Sequence, residues 1–297
     1  MNEEHHPRPE SEGAKLNIQW YPGHMVKAKR LVQEHLKLVD VVIELVDARL
    51  PMSSRNPDID PIIGNKPRLL VLNKADLADS QVCREWIKQF KTMTLEAVLV
   101  NSINGQGLAQ VTATARRLAA DKLAAMQAKG MRPRAVRAMI VGIPNVGKSS
   151  FINKLAGKAT AKTGDKPGVT KGKQWIKVGK DFELLDTPGI LWPKFEDPEV
   201  GLKLAFTGAI SDITMDIEEL VVRLLERLAA IAPQKVQERY KLPDLPDDAN
   251  QLLEAIGAKR GCLRQGAVVD RLKAAQIVLD EFRSGKLGLF TLDEPAQ

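Results

Sequence analysis

Cysteine, aromatic side chains and long apolar runs are all scarce in this chain. Of its 297 residues only Cys83 and Cys262 are cysteines. They lie far apart, with no histidine or cysteine at metal-ligand spacing, so neither a disulfide framework nor a zinc site is supported. A reducing, cytoplasmic setting is expected. No apolar run approaches the roughly 20 residues of a membrane-spanning helix, so no membrane partner is expected. Aromatic residues make up 4%, too few for base stacking to dominate contact with a nucleic acid. The opening stretch, MNEEHHPRPESEGAKL, lacks the apolar core of a secretory signal. Residues 1–17, His5 and His6 included, are expected to form a disordered tail.

What is present is ordinary globular material, 44% hydrophobic and 27% charged, in a chain long enough for one large and one smaller domain. The net charge of +7 tilts the molecule towards polyanionic partners, because a positive field raises encounter rates with phosphate backbones.

Residues Val39 to Val46 (VDVVIELV) are β-branched and nearly continuous, the pattern of a strand covered on both faces. Similar runs recur at residues 68–74, 96–102, 137–144 and 181–189. Between them lie helical stretches, near Ser80 to Lys91, from Leu108 to Lys129 and from Gly147 onwards. A further short helix is expected from Gly23 to Leu38. This alternation predicts an α/β fold with a doubly wound, mostly parallel sheet. Beyond Pro198 the strand signal stops, and Ile217, Leu220, Val221, Leu224, Leu225, Leu228 and Ile231 repeat at helical spacing. A small all-α domain over 198–297 is expected after a domain over 18–197, with helices near 216–231, 248–257 and 265–283.

Gly142-Ile-Pro-Asn-Val-Gly-Lys-Ser149 matches the GxxxxGK[ST] phosphate-loop pattern, with a strand before it and a helix-compatible FINKLAG behind. Glycines there let the backbone N–H groups face phosphates, and the helix N-terminus adds a favourable dipole. Asn145, Val146, Gly147, Lys148, Ser149 and Ser150 would wrap the phosphates. Lys148 would reach the β and γ phosphates and the Ser149 hydroxyl would ligate Mg2+. Asp186-Thr-Pro-Gly189 ends the strand FELLD, so Asp186 would hold the metal through a water while the Gly189 N–H meets the γ phosphate. Taken alone this tetrapeptide is also an ordinary turn. Thr170, in GVTKGK, is the expected switch threonine closing over the metal.

Asn73-Lys74-Ala75-Asp76 ends another strand. A carboxylate at Asp76 can accept from N1–H and the 2-amino group of guanine, donors that adenine lacks, so ATP would leave it unpaired. Asn101-Ser102 would contact the base from a third strand end. An Asn-Lys pair at a strand end is common as a turn; the full set is not. Together these motifs predict a site for GTP or GDP with Mg2+.

The motifs run NKAD, NS, GIPNVGKS, GVT, DTPG, whereas most GTPases place the phosphate loop first. That order resembles the circularly permuted GTPases. The segments QWYPGHMVKA (19–28), DARLPMSSRNP (47–57) and RSGKLG (283–288) are similar to those of the bacterial ribosome biogenesis GTPase A (RbgA, also called YlqF) family. The resemblance runs from about Ile18 to Leu289. It implies a circularly permuted P-loop GTPase domain followed by the helical domain, with GTP hydrolysis acting as a checkpoint in late assembly of the large ribosomal subunit. The implied partners are the ribosomal RNA and proteins of a large-subunit precursor, met by a monomer. Where many GTPases place a water-orienting Gln after the DxxG glycine, this chain has Ile190. The resemblance assigns that task to His24, whose imidazole can accept from water near neutral pH; a turn cap or an RNA contact is the other reading. The resemblance also makes the Asn145 amide oxygen a candidate K+ ligand. The catalytic set is then His24, Lys148, Thr170 and Gly189.

Basic residues gather at Arg116, Arg117, Lys122, Lys129, Arg132, Arg134 and Arg137, and again at Lys259, Arg260, Arg264, Arg271, Lys273, Arg283 and Lys286. Such runs are either a solvated face or an RNA-binding surface, and the resemblance favours RNA. Two other readings stay open: an RNA-binding scaffold with GTP as a ligand and negligible turnover, and a GTPase acting on another RNA or protein. Permutation also leads from DTPG directly into the helical domain, so nucleotide state is expected to orient that domain through Ile190 to Pro198.

Overall fold

The computed structural model describes residues 23–93, 95–157, 174–186, 197–212 and 215–295, with side chains from Arg30 in the first stretch and from Trp175 in the third. The expected tail over 1–17 lies outside them. Six strands form one sheet: β1 (Val41–Asp47), β2 (Arg68–Asn73), β3 (Glu96–Leu99), β4 (Val136–Gly142), β5 (Gln174–Val178) and β6 (Phe182–Asp186). Their order is β3-β2-β1-β4-β6-β5, parallel throughout except for the antiparallel β5–β6 pair. The helices are α1 (Gly23–Leu36), α2 (Asp60–Ile63), α3 (Ser80–Thr92), α4 (Leu108–Ala128), α5 (Lys148–Ala156), α6 (Pro198–Phe206), α7 (Ile217–Ile231), α8 (Pro233–Tyr240), α9 (Ala249–Lys259) and α10 (Arg271–Arg283).

Strand β1 shows why the sequence reads as it does. Val41, Ile43 and Leu45 pack on one face with Val111 and Ala115 of α4 and Phe151 and Ile152 of α5. On the other face Val42 meets Val32 and Leu36 of α1, and Val46 meets Trp86 and Phe90 of α3. Both faces are covered, so apolar residues follow one another without alternation. From the central β1–β4 pair the chain builds outwards in both directions, which leaves a crevice at the carboxyl ends of the strands where doubly wound folds hold their ligands.

The later helices start where a carboxylate can cap them. Asp197, Asp216, Asp248 and Asp270 accept from backbone N–H groups in the first turns of α6, α7, α9 and α10, worth about 1 kcal/mol each. Leu220, Leu224 and Leu228 of α7, Leu252 and Ile256 of α9, and Val278 and Phe282 of α10 belong to the same buried cluster as the β1 face that meets α4.

One expectation is corrected, and three elements are added to those expected. Residues 174–178 form the edge strand β5, which the strand reading omits. Helices α6 and α8 flank α7 in the segment expected to be all-α, in addition to the three helices expected there. The last helix begins at Arg271, not near 265, because Leu263 and Val269 pair as an antiparallel bridge and the Asp270 side chain caps the helix through Lys273 N.

Candidate nucleotide site

The phosphate loop joins the end of β4 to the start of α5, and its two glycines are sterically required. A Cβ on Gly142 would come within 2.6 Å of the Leu45 carbonyl oxygen, and one on Gly147, at φ +96°, within 2.5 Å of Asn73 Nδ2. Lys148 Nζ donates to the carbonyls of Gly142 (3.1 Å) and Ile143 (2.7 Å). Burial pulls its pKa down to about 8, opposed by the carboxylate of Asp186. Asp186 itself is buried at the carboxyl end of β6. Ser149 is half-buried and Ser150 exposed in the first turn of α5.

The loop after β2 is bonded to the phosphate loop, and the loop after β3 to the loop after β2. Ser102 Oγ donates to Asn73 Oδ1 at 2.6 Å, and Asn73 Nδ2 donates to the Val146 carbonyl at 2.9 Å. Lys74, at φ +62°, sends Nζ to the Asn145 carbonyl at 2.7 Å and to the Asp47 carboxylate at 3.0 Å. Asp76 sits in a single 3-10 turn, Ala75–Leu77, whose first N–H donates to the Val100 carbonyl at 3.1 Å. Asn101 Oδ1 accepts from Ile103 N and Asn104 N at 2.8 and 3.2 Å, so this side chain shapes its own loop. The loops after β1, β2, β3 and β4 thus share one edge of the sheet, the edge at which β6 ends in Asp186.

Some expected residues are not brought into view. Thr170, Gly189 and residues 190–196 of the coupling segment lie outside the described residues, as does the side chain of His24, whose backbone is in the first turn of α1. Asn145, at φ +55°, donates its Nδ2 to the Gly208 carbonyl at 2.8 Å, a link to the turn after α6.

Two residues reach the site that motif reading left without a role. Asp47 accepts from Arg49 N, Nε and Nη2 at 3.0, 2.9 and 2.8 Å as well as from Lys74. Burial pushes the Asp47 carboxyl up, but Arg49 and Lys74 outweigh it and hold the group far below the usual carboxylate range. Arg49 in turn lies 5.7 Å over the Phe282 ring of α10. The available signal was the Asp-Ala-Arg sequence at the end of a wholly buried strand, where two charges must be partnered.

Many residues of the basic runs pair with carboxylates of the chain. Lys122 and Arg134 bind Asp40, Arg137 binds Glu183, and Arg117 binds Glu96. Arg260 binds Glu281, Arg264 Asp270, Arg271 Glu218 and Glu254, and Arg283 Asp212. Arg117 and Arg264 stay largely exposed in these pairs.

A phosphate loop and two guanine-type loops on the carboxyl edge of a doubly wound sheet, with the phosphate loop on the fourth strand in place of the first, define a circularly permuted P-loop GTPase. A family model described as "50S ribosome-binding GTPase" matches residues 137–247. The chain is 56% identical to ribosome biogenesis GTPase A of Bacillus cereus over 280 residues, covering 94% of this chain and 95% of that one. It is 53% identical to ribosome biogenesis GTPase A of Priestia megaterium over 283 residues, covering 95% and 98%. The crystal structure of GNP-bound YlqF from T. maritima superposes with a TM-score of 0.66 at 26% identity, covering 91% of this chain and 99% of that one. The chain belongs to the ribosome biogenesis GTPase A family, and it is a GTP hydrolase.

Proposed function

We propose that this GTPase docks on a maturing large ribosomal subunit and leaves it after hydrolysis, a checkpoint late in assembly. The observation that carries the nucleotide half is the hydrogen-bonded chain from Ser102 through Asn73 to the Val146 carbonyl, which fixes the base loops relative to the phosphate loop. Asp76 selects guanine, with Asn73, Lys74, Ala75, Asn101 and Ser102 around the base. Asn145 to Ser150 take the phosphates. A buried lysine whose hydrogen bonds, among the described residues, go to carbonyls of its own loop fits an anionic ligand. Ser149, Thr170 and Asp186 supply hard oxygen donors of the kind Mg2+ takes. That ion would neutralise charge on the phosphates, and K+ near Asn145 would add to it. His24 orients the attacking water, whose oxygen bonds to the γ phosphorus as the bond to the β–γ bridging oxygen breaks; Gly189 N–H steadies the γ phosphate.

The partner half rests on the names of the relatives and on the net charge of +7. We assign residues 18–197 to nucleotide work and 198–297 to the ribosomal contact, in a monomer acting in the cytoplasm. Among the described residues no helix is long and apolar enough to cross a membrane.

Turnover measured with and without purified ribosomal subunits, alongside co-sedimentation under GDP and a non-hydrolysable GTP analogue, tests the reading. Stimulation by the large subunit alone is expected, and flat near-zero rates overturn it. His24→Ala is expected to lose stimulated turnover by on the order of 100-fold while keeping nucleotide affinity; full stimulated turnover removes the role of His24.

A further inference from the structure

The end of the chain returns to the guanine side of the site. Residues 289–293 pass the loops that follow β1 and β2, and Phe290, Thr291, Leu292 and Asp293 are all buried there. Phe290 N donates to the Leu77 carbonyl at 3.3 Å and Leu292 N to the Arg49 carbonyl at 2.8 Å. The Thr291 hydroxyl accepts from Asp79 N at 3.2 Å and donates to the Ala48 carbonyl at 3.4 Å, so one side chain spans both loops. The Asp293 carboxylate anchors the segment: Met52 N, Ser53 N and Ser53 Oγ donate to it at 2.9, 2.7 and 2.6 Å, and Lys203 of α6 pairs with it at 2.8 Å. Trp86 Nε1 of α3 donates to the Asp293 carbonyl at 3.1 Å.

The turn that carries Asp76 is therefore held at both ends. Its first residue is tied to the end of β3 through Ala75 N and the Val100 carbonyl, and its last to this strap through the Leu77 carbonyl. A carboxylate reading two donors on a base tolerates little displacement, because discrimination depends on both bonds forming together.

We infer that the strap 289–293 is part of the guanine-recognition apparatus, with Thr291 and Asp293 as positioning residues that hold the Asp76 turn in register. Selectivity for guanine then depends on a side chain separated from Asp79 by 212 positions in sequence. The inference rests on the reading of Asp76 as the guanine-selecting residue.

Calorimetric titration of the full chain with GDP and with inosine diphosphate, which lacks the 2-amino group, tests it. In Thr291→Val the hydroxyl is lost, and GDP affinity is expected to fall about five- to tenfold, with the GDP-over-inosine preference shrinking. Thr291→Ser keeps a hydroxyl and is expected to restore both; Asp293→Asn should resemble Thr291→Val. A Thr291→Val protein with wild-type affinity and wild-type base preference overturns the inference, as does a Thr291→Ser protein that behaves like it. If Asp293→Asn does not fold, the threonine pair decides, with thermal melting confirming that both variants are native. Asp76→Asn separates the two levels: if it abolishes guanine preference while Thr291→Val leaves it intact, only the strap inference fails. If wild type shows no guanine preference at all, the reading of the site fails with it.

Discussion

At the scale of single residues, Lys148 makes the electrostatics of the site measurable. Its ammonium is solvated by two peptide carbonyls, which offer partial charge where a phosphate offers full charge, so burial wins and the pKa drops to about 8. A diphosphate bound as proposed is expected to raise it again. Below pH 8 the lysine is charged with or without ligand and affinity is flat; above it, binding must take up a proton, so affinity falls as pH rises. From the value of about 8, GDP affinity is expected to drop about fourfold between pH 7 and 8.5. Calorimetry in buffers of differing ionisation enthalpy should find proton uptake over that window, and a flat profile with no uptake contradicts the argument. In sequence this lysine was plain, because GxxxxGK[ST] fixes residue types at fixed spacing. Asp47 was not, since its value lies in meeting Lys74, which no local pattern encodes.

At the scale of elements, the opposite edge of the sheet is locked by one carboxylate. Asp40, just before β1, accepts from Lys122 of α4 at 2.6 Å, from Arg134 at 2.7 and 2.8 Å and from Arg137 N at 3.0 Å. Burial raises its pKa, yet Arg134, Lys122 and the Arg137 amide outweigh it and bring it to about 2. A carboxylate depressed on folding contributes stability that is full above its unfolded pKa and is lost as pH falls through the folded value. Here that is about 2 kcal/mol, present above pH 4 and gone below pH 2. Asp40→Ala leaves two cations without their partner and is expected to cost about 3 kcal/mol at pH 7, read from urea melts, with the gap to wild type closing towards pH 2. GDP affinity should not move, because the lock sits at the far ends of the strands. The central strands were legible because burial on both faces leaves unbroken β-branched runs. Strand β5 was not: it is an edge strand with Trp175 partly exposed, and QWIKV between lysines reads as connection. Helix α6 carried its start signal in Asp197-Pro198, but nine residues give too little periodicity to outweigh the loop around it.

At the scale of the whole molecule, permutation makes β6 the last strand among the described residues, so the chain passes from Asp186 through residues 187–196 to α6 and the helices beyond. The phosphate loop also touches those helices directly, through Asn145 Nδ2 and the Gly208 carbonyl. That carbonyl is held in place by the RSGKLG arginine: Arg283 donates to the Phe206 and Ala205 carbonyls at 3.0 and 2.8 Å and binds both oxygens of Asp212 at 2.7 Å. None of this was legible in sequence, where the partners stand 63 to 78 positions apart. Asn145 lies among the residues assigned to the phosphates, so a γ phosphate has a route to the helical segment besides the chain connection. Probes attached at Gln127→Cys on α4 and Gln251→Cys on α9 can report it. Both positions are exposed while the native Cys83 and Cys262 are buried, which leaves the introduced thiols to react. The inter-probe distance is expected to differ between GDP and a non-hydrolysable GTP analogue, and Asn145→Ala to reduce the difference. Identical distances in the two nucleotide states would mean that the helical segment is a rigid extension of the sheet and that Asn145 carries no signal to it.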